Sequence, residues 1–141
     1  MRSRRPGWAS GHGRRTRGRL GVVRPLTVHH VSVNVTDVPA AVAFYTDVLG
    51  GALRHDRPDL GIGGAWIDLG AGQVHLLEAP GPPALGQHFA VAVADLDAAV
   101  SELRSRGITV ADPATVGTGR QTFVTDPAGN TVELHEPAAA P

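Results

Sequence analysis

Cysteine is absent from all 141 residues, which excludes disulfides, thiolate metal ligation and cysteine nucleophiles. Only His, Asp and Glu remain to hold a metal. Lysine is absent as well, and Tyr and Met occur once each. No acidic residue precedes Asp37, whereas eight of the 13 Arg lie before residue 25. No apolar run approaches the roughly 18 residues of a membrane span. None of about 7–15 residues follows the Arg4-Arg5 pair as a secretory signal requires. The expectation is a soluble, cytoplasmic protein with no membrane partner.

What is present fits one domain, since a chain of this length buries a single core. The 18 Gly and 11 Pro imply short elements joined by many turns. Residues 1–25 are rich in Arg and Gly and nearly without apolar periodicity, so they are expected to be a disordered tail. The remainder holds five Arg against 13 acidic residues, a net-negative body that argues against nucleic acid as a partner.

An internal repeat organises that body. Shifting the chain by 58 residues lays His30-Val-Ser-Val-Asn-Val-Thr-Asp37 on His88-Phe-Ala-Val-Ala-Val-Ala-Asp95. The same shift lays Gln73-Val-His75 on Thr131-Val-Glu133, and Trp66 on Val124. Each half opens with side-chain alternation of period two, the mark of a half-buried strand. Asp37 and Asp95 stand where helix N-caps belong, and Pro39 suits a first turn. A helix over about 38–49 would offer Val38, Val42, Tyr45 and Val48 or Leu49 to a core. Its counterpart would offer Leu96, Val100 and Leu103 and stop at Gly107. Short strands are expected over about 51–55, 63–69 and 73–78, and again over 108–111, 121–125 and 131–136. The plan is α+β: two βαβββ modules, about 27–79 and 87–137 of a domain spanning 27–137, forming a curved, cup-like mixed sheet. The Pro-rich stretch 79–86 links them.

Alternation also sorts the polar residues. Val74, Leu76, Val132 and Leu134 take the helix side, so His30, His75, His88 and Glu133 share the opposite face. They hold equivalent places in the two halves. If the sheets curve about a common axis, four metal-competent side chains converge. His135 has the parity of Glu133 and suits a supporting group or general base. His29 is expected on the helix side in a structural role, with His12 and His55 in solvent. Asp126-Pro-Ala-Gly-Asn130 reads as turn chemistry, and Phe44 and Tyr45 as core. Trp66 fits either face.

The strings Val28-His-His-Val-Ser-Val-Asn-Val-Thr-Asp37, Phe44-Tyr-Thr-Asp-Val-Leu-Gly50 and Asp126-Pro-Ala-Gly-Asn-Thr-Val-Glu-Leu134 resemble the vicinal oxygen chelate superfamily. That superfamily includes glyoxalase I, extradiol dioxygenases, methylmalonyl-CoA epimerase and bleomycin-resistance proteins. By position, the resemblance implies His30, His75, His88 and Glu133 as metal ligands, with Glu133 also a catalytic residue. The implied cofactor is a divalent ion: Zn, Ni, Mn or Fe(II). The implied function is that of a metal-dependent, glyoxalase-like lyase or isomerase, binding a small carbonyl substrate through neighbouring oxygens. Alternatives are an Fe(II) extradiol dioxygenase and a non-catalytic protein that binds a drug or small ligand. Asn34 stands where glutathione-dependent members carry Arg, and the only Tyr is helix-borne Tyr45, so neither glutathione use nor ring cleavage is implied. Open sheet edges imply a homodimer.

Overall fold

Each half of the repeat folds as its alternation requires. β1 (His30–Val35), α1 (Val38–Ala43), β2 (Ala52–Leu53), β3 (Gly64–Leu69) and β4 (Gly72–Glu78) make the first half. β5 (His88–Ala92), α2 (Leu96–Ser105), β6 (Ala114–Val116), β7 (Gly119–Thr125) and β8 (Thr131–Glu136) make the second. The structure is a computed structural model describing residues 23–140, so the Arg-rich tail falls almost wholly outside the described residues. The strand orders β1-β4-β3-β2 and β5-β8-β7-β6 are the same plan twice. First and last strands of each module pair in parallel and the other neighbours antiparallel. The result is α+β with two open, mixed, four-stranded sheets.

The helices start where the sequence places their caps. Asp37 accepts from the Ala40 amide at 3.0 Å and Asp95 from the Ala98 amide at 2.9 Å, satisfying donors that an N-terminus leaves unpaired. One core joins both modules. Val35, Tyr45, Ile67, Val74 and Leu76 from the first, with Leu96, Val124 and Val132 from the second, are at most 2% exposed. Each such aliphatic side chain contributes about 1.5–3 kcal/mol relative to exposure. The helix side of each sheet is covered by that module's own helix, α1 on β3 and β4 and α2 on β8, and the opposite faces stay open.

Three local features depart from the expected plan. First, α1 does not run regularly to residue 49: Phe44–Val48 form a π turn, closed by the Leu49 amide donating to the Phe44 carbonyl at 3.1 Å. The wider turn rotates the apolar face, so Phe44 and Tyr45 are both buried while Val38, Val42, Val48 and Leu49 only border the core. A strict 3.6-residue period misses such a turn. Second, 108–111 is not a strand. Arg104 donates to the Val110 carbonyl and Thr122 to the Ala111 carbonyl, each at 2.8 Å, so side chains satisfy what a ladder would. The strand forms at Ala114–Val116 instead, because Gly117 (φ +58°) closes a two-residue turn that returns the chain from Val116 to Gly119. Third, the repeat offset slips. Asp68 pairs with Gln73 and Thr125 with Thr131, so the residue equivalent to Trp66 is Phe123 rather than Val124. The turn Asp126–Asn130 holds one more residue than its counterpart.

Candidate functional site

On the first sheet, register puts His75 of β4 opposite both Ser32 of β1 and Trp66 of β3. Its imidazole lies between two rings. The His30 ring is stacked at 3.9 Å between centroids and 14° from parallel, and the Trp66 ring at 4.7 Å and 15°. Trp66 thus belongs to the helix-free face. The Gln73 Oε1 accepts from His75 Nε2 at 2.9 Å, which leaves Nδ1 with its lone pair. Burial, then the charges of His30, His29, Arg54 and Arg57, hold the His75 imidazole below its usual basicity. A neutral ring is the form that ligates a metal.

The second sheet carries a different group in the same place. Glu133 of β8 lies opposite Ala90 and Phe123, with its side chain only 12% exposed. Its Oε1 is 3.9 Å from His88 Nε2 and its Oε2 is 3.7 Å from His135 Nδ1. Both separations exceed hydrogen-bond length, and no described residue gives Glu133 a hydrogen bond. A carboxylate drawn this far out of water and left unpaired between two imidazoles fits a cation. His88 is oriented by a 2.8 Å contact from Nδ1 to the Gly86 carbonyl, which turns Nε2 toward Glu133. The Phe123 ring meets His88 edge-on at 5.3 Å.

The four residues singled out in the sequence therefore come together two by two. Among the described residues no three His, Asp or Glu are grouped to hold one ion. The reason lies in the seam between the modules. One cleft, of about 370 Å³, is lined by Ser32 and Asn34 of β1 with His88 and Phe89. Another, of about 400 Å³, is lined by His29 and His30 with Val91 and Val93. The open edges of β1 and β5 thus run past each other in opposite directions. His30 and His88 stand at different ends of the seam, on the order of 10 Å apart at a strand's rise per residue.

Other expectations resolve locally. Tyr45 is core, as expected, but its hydroxyl also donates to Asp126 Oδ2 at 2.9 Å. Burial and the Asp126 carboxylate keep that phenol protonated far above its ordinary range. Asp126 further accepts from the Ala128 and Asn130 amides and from Asn130 Nδ2, while Asn130 Nδ2 also reaches the Asn34 carbonyl. The turn is structural, and it ties the modules together. Asn34 donates to the Pro80 carbonyl at 2.9 Å, so it anchors the linker. His29 does not face the helix. It precedes β1, is exposed, and its Nδ1 lies 2.9 Å from that of His30. His55 is exposed, and His12 lies outside the described residues. Phe123 was missed because the sequence offset pointed one residue beyond it.

Residues 27–134 match the family described as the Glyoxalase/Bleomycin resistance protein/Dioxygenase superfamily. The chain is 33% identical over 130 residues to the uncharacterized protein YaeR of Escherichia coli, covering 77% of this chain and 95% of that one. It is 30% identical over 156 residues to a 2-epi-5-epi-valiolone epimerase from an Actinomyces species, covering 86% and 85%. Its fold overlays the crystal structure of a glyoxalase-family protein from Bacillus anthracis with a TM-score of 0.74, at 28% identity, covering 82% of this chain and 98% of that one. Among the described residues no helix is long and apolar enough to cross a membrane.

Proposed function

Because the chain belongs to the Glyoxalase/Bleomycin resistance protein/Dioxygenase superfamily, we propose that it is a metal-dependent, glyoxalase-like lyase or isomerase acting on a small carbonyl substrate. The site is assembled between two copies. His88 and Glu133 from one copy meet His30 and His75 from the other. The observation that carries this reading is Glu133: a mostly buried carboxylate between two imidazoles, on the face that the shared core leaves open. A single chain offers only half of the donors at either end of its seam, and a two-fold partner supplies the other half.

A divalent ion held there would supply Lewis acidity to neighbouring oxygens of the substrate and favour negative charge developing on them. The chain's own residues do the rest. His75, kept neutral, presents a lone pair. Glu133 supplies the negative donor, and as substrate approaches it is the carboxylate placed to take a proton. His135, 3.7 Å away, is placed to relay that proton. Trp66 and Phe123 give the two half-sites apolar flanks that exclude water. The likeness to a protein named as an epimerase supports the isomerase side.

The test is made on untagged protein, since a His tag would itself bind metal. Elemental analysis is expected to find a divalent cation for every chain, and sedimentation a dimer. In D₂O the loaded protein is expected to place deuterium on the carbon beside the carbonyl of an α-hydroxy or α-oxo compound, read by NMR. A monomer without metal and without exchange would overturn the reading and leave a small-ligand binding protein.

A further inference from the structure

Five arginines lie in the domain beyond residue 25, and four are neutralised. Arg54 pairs with Asp56 at 2.6 Å and Asp68 at 3.0 Å, Arg104 with Asp112 at 2.8 Å, Arg106 with Glu102 at 2.6 Å, and Arg120 with Asp97 at 2.8 Å. Arg57 has no carboxylate within ion-pair distance among the described residues. Its one acceptor is the Ile62 carbonyl, 2.9 Å from Nη2, and its Nε is buried with no hydrogen-bond partner. Buried donors are almost always satisfied, and with the Ile62 carbonyl as its single acceptor among the described residues the guanidinium keeps Nη donors free for an oxyanion.

Its place in the fold says which acceptor. A Cβ added to Gly64 would collide with the Leu76 carbonyl and come 3.1 Å from Arg57 Nη2. By strand alternation Gly64 shares the face of Trp66, and Trp66 stacks on His75. The guanidinium therefore lies over the helix-free face, beside the row of rings His30, His75 and Trp66 that crosses β1, β4 and β3, and about 7 Å along β3 from Trp66. Glycine lets the guanidinium approach the strand closely there, in a shallow depression that Pro58 and Ile62 also line. Two carboxylates are near without claiming it. Asp59 Oδ1 accepts from the Gly61 amide at 2.9 Å, and the Glu78 carboxylate lies over Gly63.

We infer that Arg57 anchors an oxyanion carried by the substrate, a carboxylate or a phosphate, so that the substrate class is a small carbonyl compound bearing such a group. The inference rests on the reading of this face as the reaction site. The planar fork of the guanidinium suits bidentate capture of either oxyanion. Held there, the anion sits beside the ring row, and a substrate a few atoms long reaches Trp66 and the neighbouring His75.

The test uses the full chain as purified, with Trp8→Phe so that Trp66 is the sole tryptophan. Inorganic phosphate and malonate are titrated separately, and Trp66 fluorescence is read. Saturable binding of at least one probe is expected, and which one binds identifies the oxyanion. Arg57→Gln is expected to weaken it at least tenfold and Arg57→Lys by less, with circular dichroism unchanged in both. Glu78→Gln is expected to leave it unchanged or tighter. Elemental analysis accompanies each titration of the parent protein: Arg57-dependent binding in a parent that purifies without metal would sink the metal reading and spare this one. No saturable binding of either probe, or binding in folded Arg57→Gln equal to that of the parent, would overturn the inference.

Discussion

The two modules share a plan and differ where chemistry is expected. In the first, the residue at the centre of the last strand is His75, held in a stack of rings and kept neutral by burial and neighbouring charge. In the second, the equivalent residue is Glu133, a carboxylate set between His88 and His135 without a hydrogen bond. The repeat sets one position in corresponding places twice, with an imidazole in one half and a carboxylate in the other. A divalent ion bound as proposed would draw on each: the imidazoles for covalency and the carboxylate for charge. The two modules also differ in what surrounds the donor. The first is flanked by Arg57, a positive residue without an acid partner among the described residues, and the second by a second histidine.

The sharpest way to break this comparison is to remove the charge from one side only. Glu133→Gln keeps size and loses the anion. It is expected to abolish metal retention on dialysis and to lower turnover by about 10²–10⁴-fold, the range for loss of a group that moves a proton. Full metal content in this variant, by elemental analysis, would mean that the second module does not supply the anionic ligand.

The junction of the modules comes next. The Tyr45 hydroxyl of the first module donates to the buried Asp126 of the second. Tyr45→Phe is expected to cost about 1–2 kcal/mol in denaturant unfolding, since Asp126 keeps its three other donors. Asp126→Ala, which strips the partner from all of them, is expected to cost about 3 kcal/mol or more. Equal effects for the two would show that the hydroxyl is the only donor that matters there.

A smaller effect separates the roles of the two repeat mates. His75→Ala is expected to lower metal occupancy severalfold while leaving the dimer intact. Unchanged occupancy with turnover reduced about 10²–10⁴-fold would instead mark His75 as a free base.

The repeat made most of this architecture legible, because burial forces alternation and alternation is visible in a string of letters. The faces of His30, His75, His88 and Glu133, both N-caps and the burial of Leu96, Val100 and Leu103 all followed from period and offset. What escaped were features that break a period. The π turn at Phe44–Val48 adds to the helix repeat. The longer turn at Asp126–Asn130 moves Phe123 into the place that a constant offset gives to Val124. Alternation across Gly63-Gly64 could not choose a face for Trp66. The separation of the two half-sites within one chain was also out of reach, since it depends on how two edges pass each other and no local pattern encodes that. Arg57 shows the same limit. All five arginines of the domain look alike in sequence, and only packing reveals which one has no carboxylate partner among the described residues.

The smallest expected effect concerns how each helix is held to its own sheet. α1 begins at Asp37 with a single side-chain cap. α2 begins at Asp95, but its Leu96 amide also donates to Glu136 Oε2 at 2.7 Å. Arg120 of β7 makes two hydrogen bonds to Asp97 in the first turn, at 2.8 and 3.0 Å. The second module thus has a charged clamp that the first lacks. The Arg120 guanidinium holds the Asp97 carboxyl below its usual range, chiefly by hydrogen bonding. A carboxyl whose folded pKa is depressed stabilises the fold above its unfolded value of 3.8, and that stability is lost as pH falls through the folded value. Asp97→Asn is therefore expected to lower the melting temperature slightly at neutral pH, by less than Tyr45→Phe, because the pair is exposed and screened. The deficit is expected to shrink as salt is raised and to disappear in acid once Asp97 is protonated in both states. Asp47→Asn, on the first module's helix, removes a carboxylate with no Arg partner among the described residues and serves as the control. A deficit in Asp97→Asn that persists unchanged at low pH would mean that the clamp acts through packing of the Arg120 stem rather than through charge, and the modules would then differ less than their charges suggest.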